Sequence, residues 1–149
     1  MIGTLNNYQI ENFLRSEVVG RLGCSSKGKT YVVPIAYFYD GKHIYAHTKE
    51  GMKTVMMRQN PNVCFEVDHI QNMSNWQSVI VWGKYEELKG QKAEEALQGL
   101  VNRIHPISSS EVSVPRHSLE RPDAPVNPDI KLVVFRIRVE KASGKYEKQ

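Results

Sequence analysis

The run TYVVPIAYFYDGKHIYAHT, residues 30–48, decides the fold. Residues 30–39 are mostly β-branched or aromatic, Asp40-Gly41 is a strong hairpin signal, and KHIYAHT returns to strand composition. Upstream, VVGRLGCSS (18–26) joins this run through the turn-like KGK, so the first three strands read as an antiparallel meander. Pro34 interrupts the middle strand. A proline cannot donate to a ladder, so it predicts a bulge or an unpaired segment that frees backbone groups of Val33 and Ile35. A barrel corner is the plainer explanation of the same residue.

Working outward, NVCFEVDH (62–69), WQSVIVWGKYEEL (76–88) and DIKLVVFRIRVEKA (129–142) add three strands. The run 76–88 is apolar on both faces, which places it in the middle of a barrel or in an interface, and 129–142 alternates Val133, Phe135, Ile137 and Val139 with Arg136 and Arg138. Helical spacing appears three times. Ile10, Phe13 and Leu14 form one stripe; Met52, Val55 and Met56 mark a helix from Gly51 that stops before Pro61; Ala93, Leu97, Leu100, Val101 and Ile104 mark another. Residues 105–128 hold five prolines and no periodicity, the pattern of a long loop or arm. The whole is α+β, mainly β: a six-stranded antiparallel split barrel with two or three peripheral helices, expected as one domain over 1–149.

Composition excludes several classes. Charged residues at 24% and hydrophobic ones at 40% describe a globular chain, and no run approaches the length of a membrane-spanning helix. MIGTLNNYQIENFLRSE lacks the basic start and apolar run of a signal peptide, which predicts a cytoplasmic protein. In that reducing setting Cys24 and Cys64 read as buried thiols. The net charge of +4 is spread among interleaved acids, which argues against a nucleic-acid partner. His43, His69, His105 and His117 have no metal-ligand spacing, and neither Gly-x-Gly-x-x-Gly nor a P-loop is present.

One stretch carries chemistry. In IYAHTKEGMK (44–53), an imidazole, a hydroxyl, a glycine turn and an ammonium come together where strand pattern gives way to helix. A phosphate monoester wants such donors together with the unpaired N–H groups of a helix start near Gly51, with Lys53 in the first turn and His47 and Thr48 closing the other side. Successive strand residues face opposite ways, so His47 and Thr48 converge only if the strand has already bent into the turn. Glu50 would repel a phosphate unless it faces solvent. Spacing alone is satisfied as well by an ordinary strand-to-helix turn with a capping threonine.

Taken in order, GRLGCSS, YVVPIAYFYDGKHIYAHTKEGMK, NPNVCFEVD, WQSVIVWGKYEEL and VFRIRVEKASGK resemble the flavin-binding split barrels related to pyridoxamine 5'-phosphate oxidase, above all their nitroimidazole-resistance (Nim-like) branch. The resemblance implies FMN and a homodimer with flavins between subunits. It assigns the backbone of Val33, Pro34 and Ile35 to the isoalloxazine ring, and His47, Thr48, Gly51 and Lys53 to the phosphate end. Trp76, Gln77 and Ser78 are assigned to the partner's flavin. It implies an oxidoreductase passing electrons from a reduced donor to a small planar acceptor such as a nitroimidazole, with no catalytic residue of the protein specified. The chain departs from vitamin B6 oxidases by closing with SGKYEKQ and by placing Met52 before Lys53. A non-catalytic flavin- or haem-binding barrel is the alternative, with His69 or His105 as the axial ligand for haem.

Overall fold

The structure, a computed structural model, describes residues 1–108 and 131–149, with side chains 105–108 outside that description. It is a mostly antiparallel sheet of eight strands with three helices. In chain order the elements are β1 (Ile2–Thr4), α1 (Asn7–Ser16), β2 (Val19–Ser26), β3 (Lys29–Ala36), β4 (Phe38–Tyr39), β5 (His43–Lys49), α2 (Met52–Gln59), β6 (Asn62–Asn72), β7 (Asn75–Leu88), α3 (Gln91–Ser108) and β8 (Leu132–Glu147). The strands lie in the order β3-β2-β6-β7-β8-β5-β4, with β1 beside β8.

The strand count exceeds the expected six for two reasons. Ile2–Thr4 is too short to display a period, yet it pairs with β8. The run 30–40 is also divided at Tyr37, because its first part bonds β2 and its second part bonds β5. The two ends of the strand order, β3 and β4, are therefore consecutive pieces of one run, and the sheet curls back on itself through the chain. Tyr37 holds this vertex: its N–H donates to the Val18 carbonyl at 3.0 Å, and its hydroxyl donates to the Leu14 carbonyl at 2.7 Å. Its buried ring meets Phe65 edge-on at 5.1 Å.

Local chemistry sets the turns. Lys27 and Gly28 both have positive φ, 52° and 77°, as a two-residue type I′ hairpin turn demands. Asp40 closes the β4–β5 hairpin by accepting the N–H groups of Lys42 and His43. Asn6 and Gln9 exchange side-chain-to-backbone bonds at the start of α1 and form a capping box. Opposite Trp82 and Gly83, β8 carries an extra residue, Glu140, and the ladder shifts register there.

Alternation along the strands separates two faces. Leu22, Phe65, Val67, Val79, Val81, Phe135 and Ile137 point into the main core, with α1 adding Ile10, Phe13 and Leu14. A smaller cluster of Leu88, Ala96 and Val134 lies under α3. Three expectations change. The buried side of α2 is Thr54, Met56 and Met57, while Met52 and Val55 are about half exposed, since only the former face the core end. Cys64 is partly exposed rather than buried, because it pairs opposite Gly23 on the outward face. Finally, α3 runs on through residues 105–108, so the aperiodic stretch begins as helix; positions 109–128 lie outside the described residues.

Candidate functional site

Two lips diverge from Tyr37. Hydrogen-bonded pairs alternate along an antiparallel ladder, so the Tyr37-to-Val18 bond fixes the phase for all of β3. Tyr31, Val33 and Ile35 turn their N–H and C=O groups toward β2, whereas those of Val32, Pro34 and Ala36 point the other way. On β5 the bonds from Val139 N–H to the Lys42 carbonyl, 3.1 Å, and from Glu50 N–H to the Lys131 carbonyl, 2.9 Å, set the opposite phase. Ile44, Ala46 and Thr48 bond β8, and Tyr45, His47 and Lys49 direct their backbone groups toward the β3 side. The β4–β5 ladder stops after Phe38–Tyr45. Beyond it lies a split, with Val32, Pro34 and Ala36 on one lip and His47 and Lys49 on the other.

This phase corrects the reading of Pro34. There is no bulge, and β3 keeps register with β2 across it, because the missing N–H lies on the edge away from β2. Val33 and Ile35 are not released; their backbones serve β2 and their side chains pack against the core. The backbone groups facing the split belong to their neighbours.

At the end of β5 away from Tyr37, the chain passes into α2. Glu50, which would oppose an anion, is engaged by Arg58 at 2.5 Å and by the Thr54 hydroxyl at 2.9 Å, and these bonds hold its carboxyl below the ordinary range. Arg58 also binds Glu87 at 2.9 Å, tying α2 to β7. The buried Thr54 hydroxyl accepts the Gly51 N–H at 3.0 Å and so fixes the turn. A Cβ at Gly51 would meet no atom nearer than 3.8 Å, which leaves open space at the helix start. Lys53 sits partly buried in the first turn. Burial pulls its pKa down, the nearby Cys24 thiol opposes this, and among the described residues no carboxylate lies within ion-pair reach of it. A desolvated ammonium beside open N–H groups fits an anionic group.

His47 and Thr48 do not converge. Both lie inside the regular part of β5, so the strand has not yet bent: Thr48 is buried toward the core, and His47 faces outward on the side where α3 packs. Thr48 donates a long bond, 3.3 Å, to the Lys49 carbonyl. Trp76, Gln77 and Ser78 lie elsewhere. His47 and Leu88 both pair with Val134, whereas Trp76 pairs with Glu147 at the other end of β7. Trp76 and Gln77 line a separate cleft of about 450 Å³ with His69 and Tyr146. Ser78 is committed on the outward face, donating to Glu66 at 2.9 Å. Sequence reasoning missed Thr54, Arg58 and Cys24 around Lys53, and Val32 and Ala36 on the lip.

The chain matches the family described as pyridoxamine 5'-phosphate oxidase over residues 6–146. The chain belongs to that family. Similar solved structures include an FAD-binding protein of Mesorhizobium loti, 29% identical, with 99% of each chain covered and a TM-score of 0.77. A candidate 5-nitroimidazole antibiotic resistance protein of Bacteroides thetaiotaomicron, 18% identical over 98% of this chain and 89% of that one, shares the fold at a TM-score of 0.69. Among curated proteins, an uncharacterized one from Rhizobium meliloti is 36% identical over 70 residues, 47% of this chain and 46% of that protein, so the match spans about half the relative's length. Two general features accompany this pyridoxamine 5'-phosphate oxidase-like chain. No helix among the described residues is long and apolar enough to cross a membrane, and no group of three or more His, Cys, Asp or Glu among them is placed to hold a metal ion.

Proposed function

We propose that this member of the pyridoxamine 5'-phosphate oxidase family binds FMN in the split between β3 and β5 and works as a Nim-like oxidoreductase, passing electrons from a reduced donor to a small planar acceptor such as a nitroaromatic. One observation carries the reading: Lys53 is a partly desolvated ammonium without a carboxylate partner among the described residues, at a helix start that opens onto two backbone edges. Lys53 and the first N–H groups of α2 would hold a phosphate monoester, and the edges at Val32, Ala36 and Lys49 would meet a flat ring with polar rims. Bound flavin supplies the electron transfer. The protein binds and orients it and excludes water, so no acid or base of the chain is assigned a catalytic role. The segment SGKYE, where the oxidases have a substrate-binding tail, is held in the β8 ladder, which argues against vitamin B6 as the substrate.

A homodimer of split barrels, in which Trp76, Gln77 and Ser78 approach the flavin of the second copy, belongs to this reading. A cytoplasmic, single-domain protein fits this reading. FAD is the second reading, favoured by the Mesorhizobium loti protein that matches end to end.

Titration of the purified protein with FMN and with FAD, followed by the visible spectrum and by sedimentation, tests the proposal. We expect tighter binding of FMN, a dimeric mass, and reoxidation of the bound reduced flavin by a nitroimidazole faster than that of free FMN. Preference for FAD overturns the cofactor assignment, and binding of neither overturns the site.

A further inference from the structure

The β4–β5 hairpin begins as an ordinary ladder. The Asp40 N–H donates to the His43 carbonyl at 3.2 Å and Phe38 pairs with Tyr45. Continued in register, hydrogen-bonded rungs would fall at Ala36–His47, Pro34–Lys49 and Val32–Gly51. None of these pairs forms. The rung at Lys49 cannot be completed, because it needs an N–H from residue 34 and proline has none. The Lys49 carbonyl instead takes the long bond from its neighbour Thr48. Pro34 costs nothing on the β2 side, where its nitrogen does not point, so the residue removes a donor from this edge alone.

We propose that Pro34 is the wedge that keeps the split open: by deleting one rung it stops β3 and β5 from closing along their whole length, and so leaves both edges available to a planar heteroaromatic ligand. Pro34 is a positioning residue here. The missing donor follows from the register, while the identity of the ligand rests on the flavin reading above. Restoring the donor should let the ladder extend past Tyr45 toward Gly51, with the strands then competing with the ligand for the same N–H and C=O groups. Closure of this kind is self-limited at Gly51, where α2 begins.

Amide hydrogen exchange on the ligand-free protein tests the wedge directly. In the wild type, the amides of Val32 and Lys49 should exchange fast while those of Tyr31, Val33 and Ile35 are protected. Slow exchange at Val32 and Lys49 in the wild type would overturn the proposal without any variant. In Pro34→Ala, protection at Lys49 and at the new residue-34 amide should rise at least about tenfold, the scale set by a newly formed backbone hydrogen bond. FMN affinity should fall several-fold in parallel. Unchanged exchange in Pro34→Ala sinks the wedge even if FMN binds the wild type tightly. Gained protection in a protein that binds no flavin upholds the wedge and removes the flavin reading.

Discussion

Two groups of charged residues in this molecule are built on opposite principles. On the outward face of β2, β6 and β7, Arg21 binds Asp68 at 3.2 Å and Glu66 accepts the Ser78 hydroxyl at 2.9 Å, so cation, carboxylates and hydroxyl answer one another. At the start of α2, the acid in the turn is answered by Arg58 and Thr54, while Lys53 has no acid partner among the described residues. A closed network needs no ligand. A cation whose burial disfavours its charge, with every nearby carboxylate engaged elsewhere, is stabilised when an anion arrives. The difference separates a structural cluster from a candidate site using side chains alone.

The largest expected effect tests that contrast. Lys53→Ala should weaken FMN binding roughly ten- to hundredfold, the value of one charge-assisted hydrogen bond to phosphate. Arg21→Ala, which removes an equal charge from the closed network, should change affinity less than about twofold because an exposed ion pair contributes little. Comparable losses in both variants, read by fluorescence titration, would erase the distinction. Next in size is the lock on the turn. Thr54→Val removes the acceptor for the Gly51 N–H and one donor to Glu50, and should cost about 1–2 kcal/mol in urea unfolding. Glu50, then held by Arg58 alone, should also weaken FMN binding, a loss that Glu50→Gln in the same background would restore.

Much of this could be read in the sequence, and what could not has definite causes. The stripe of Ile10, Phe13 and Leu14 and the strand runs around Asp40-Gly41 followed from periodicity, since burial acts on every second or every third and fourth residue. The phase of β3 was also available: counting from the two-residue turn Lys27-Gly28 places odd residues toward β2 and turns the nitrogen of Pro34 outward. A proline in a strand predicts a bulge only when its nitrogen faces a bonded neighbour, and here it faces the free edge. Other features are tertiary and leave no local trace. Arg58 reaches Glu50 and Glu87 across two elements, and Cys24 comes beside Lys53 only when α2 folds onto β2. Thr48 and His47 are adjacent in sequence, but the regular pairing of β5 through Lys49 turns them apart.

The smallest expected effect is a slope, and its sign distinguishes the two clusters once more. Lys53 has a folded pKa below its unfolded value because burial disfavours the ammonium. Between those two values the unfolded chain binds more protons, so the stability of the empty protein should rise as pH climbs through the upper alkaline range toward 10.5. Glu66 is shifted the other way, upward, chiefly by burial, with the hydrogen bond that its protonated carboxyl donates to Asp68 adding to it. There the folded chain holds the proton more tightly, so stability should fall as pH rises above the ordinary value of 4.5. Lys53→Met should flatten the alkaline slope and Glu66→Gln the acidic one, each leaving the other unchanged. Saturating FMN should mimic Lys53→Met, because a bound phosphate supplies the missing counter-charge and returns the lysine to its ordinary range. An acidic slope that also responds to FMN would mean that the outward cluster senses the ligand, and the separation between structural network and binding site would no longer hold.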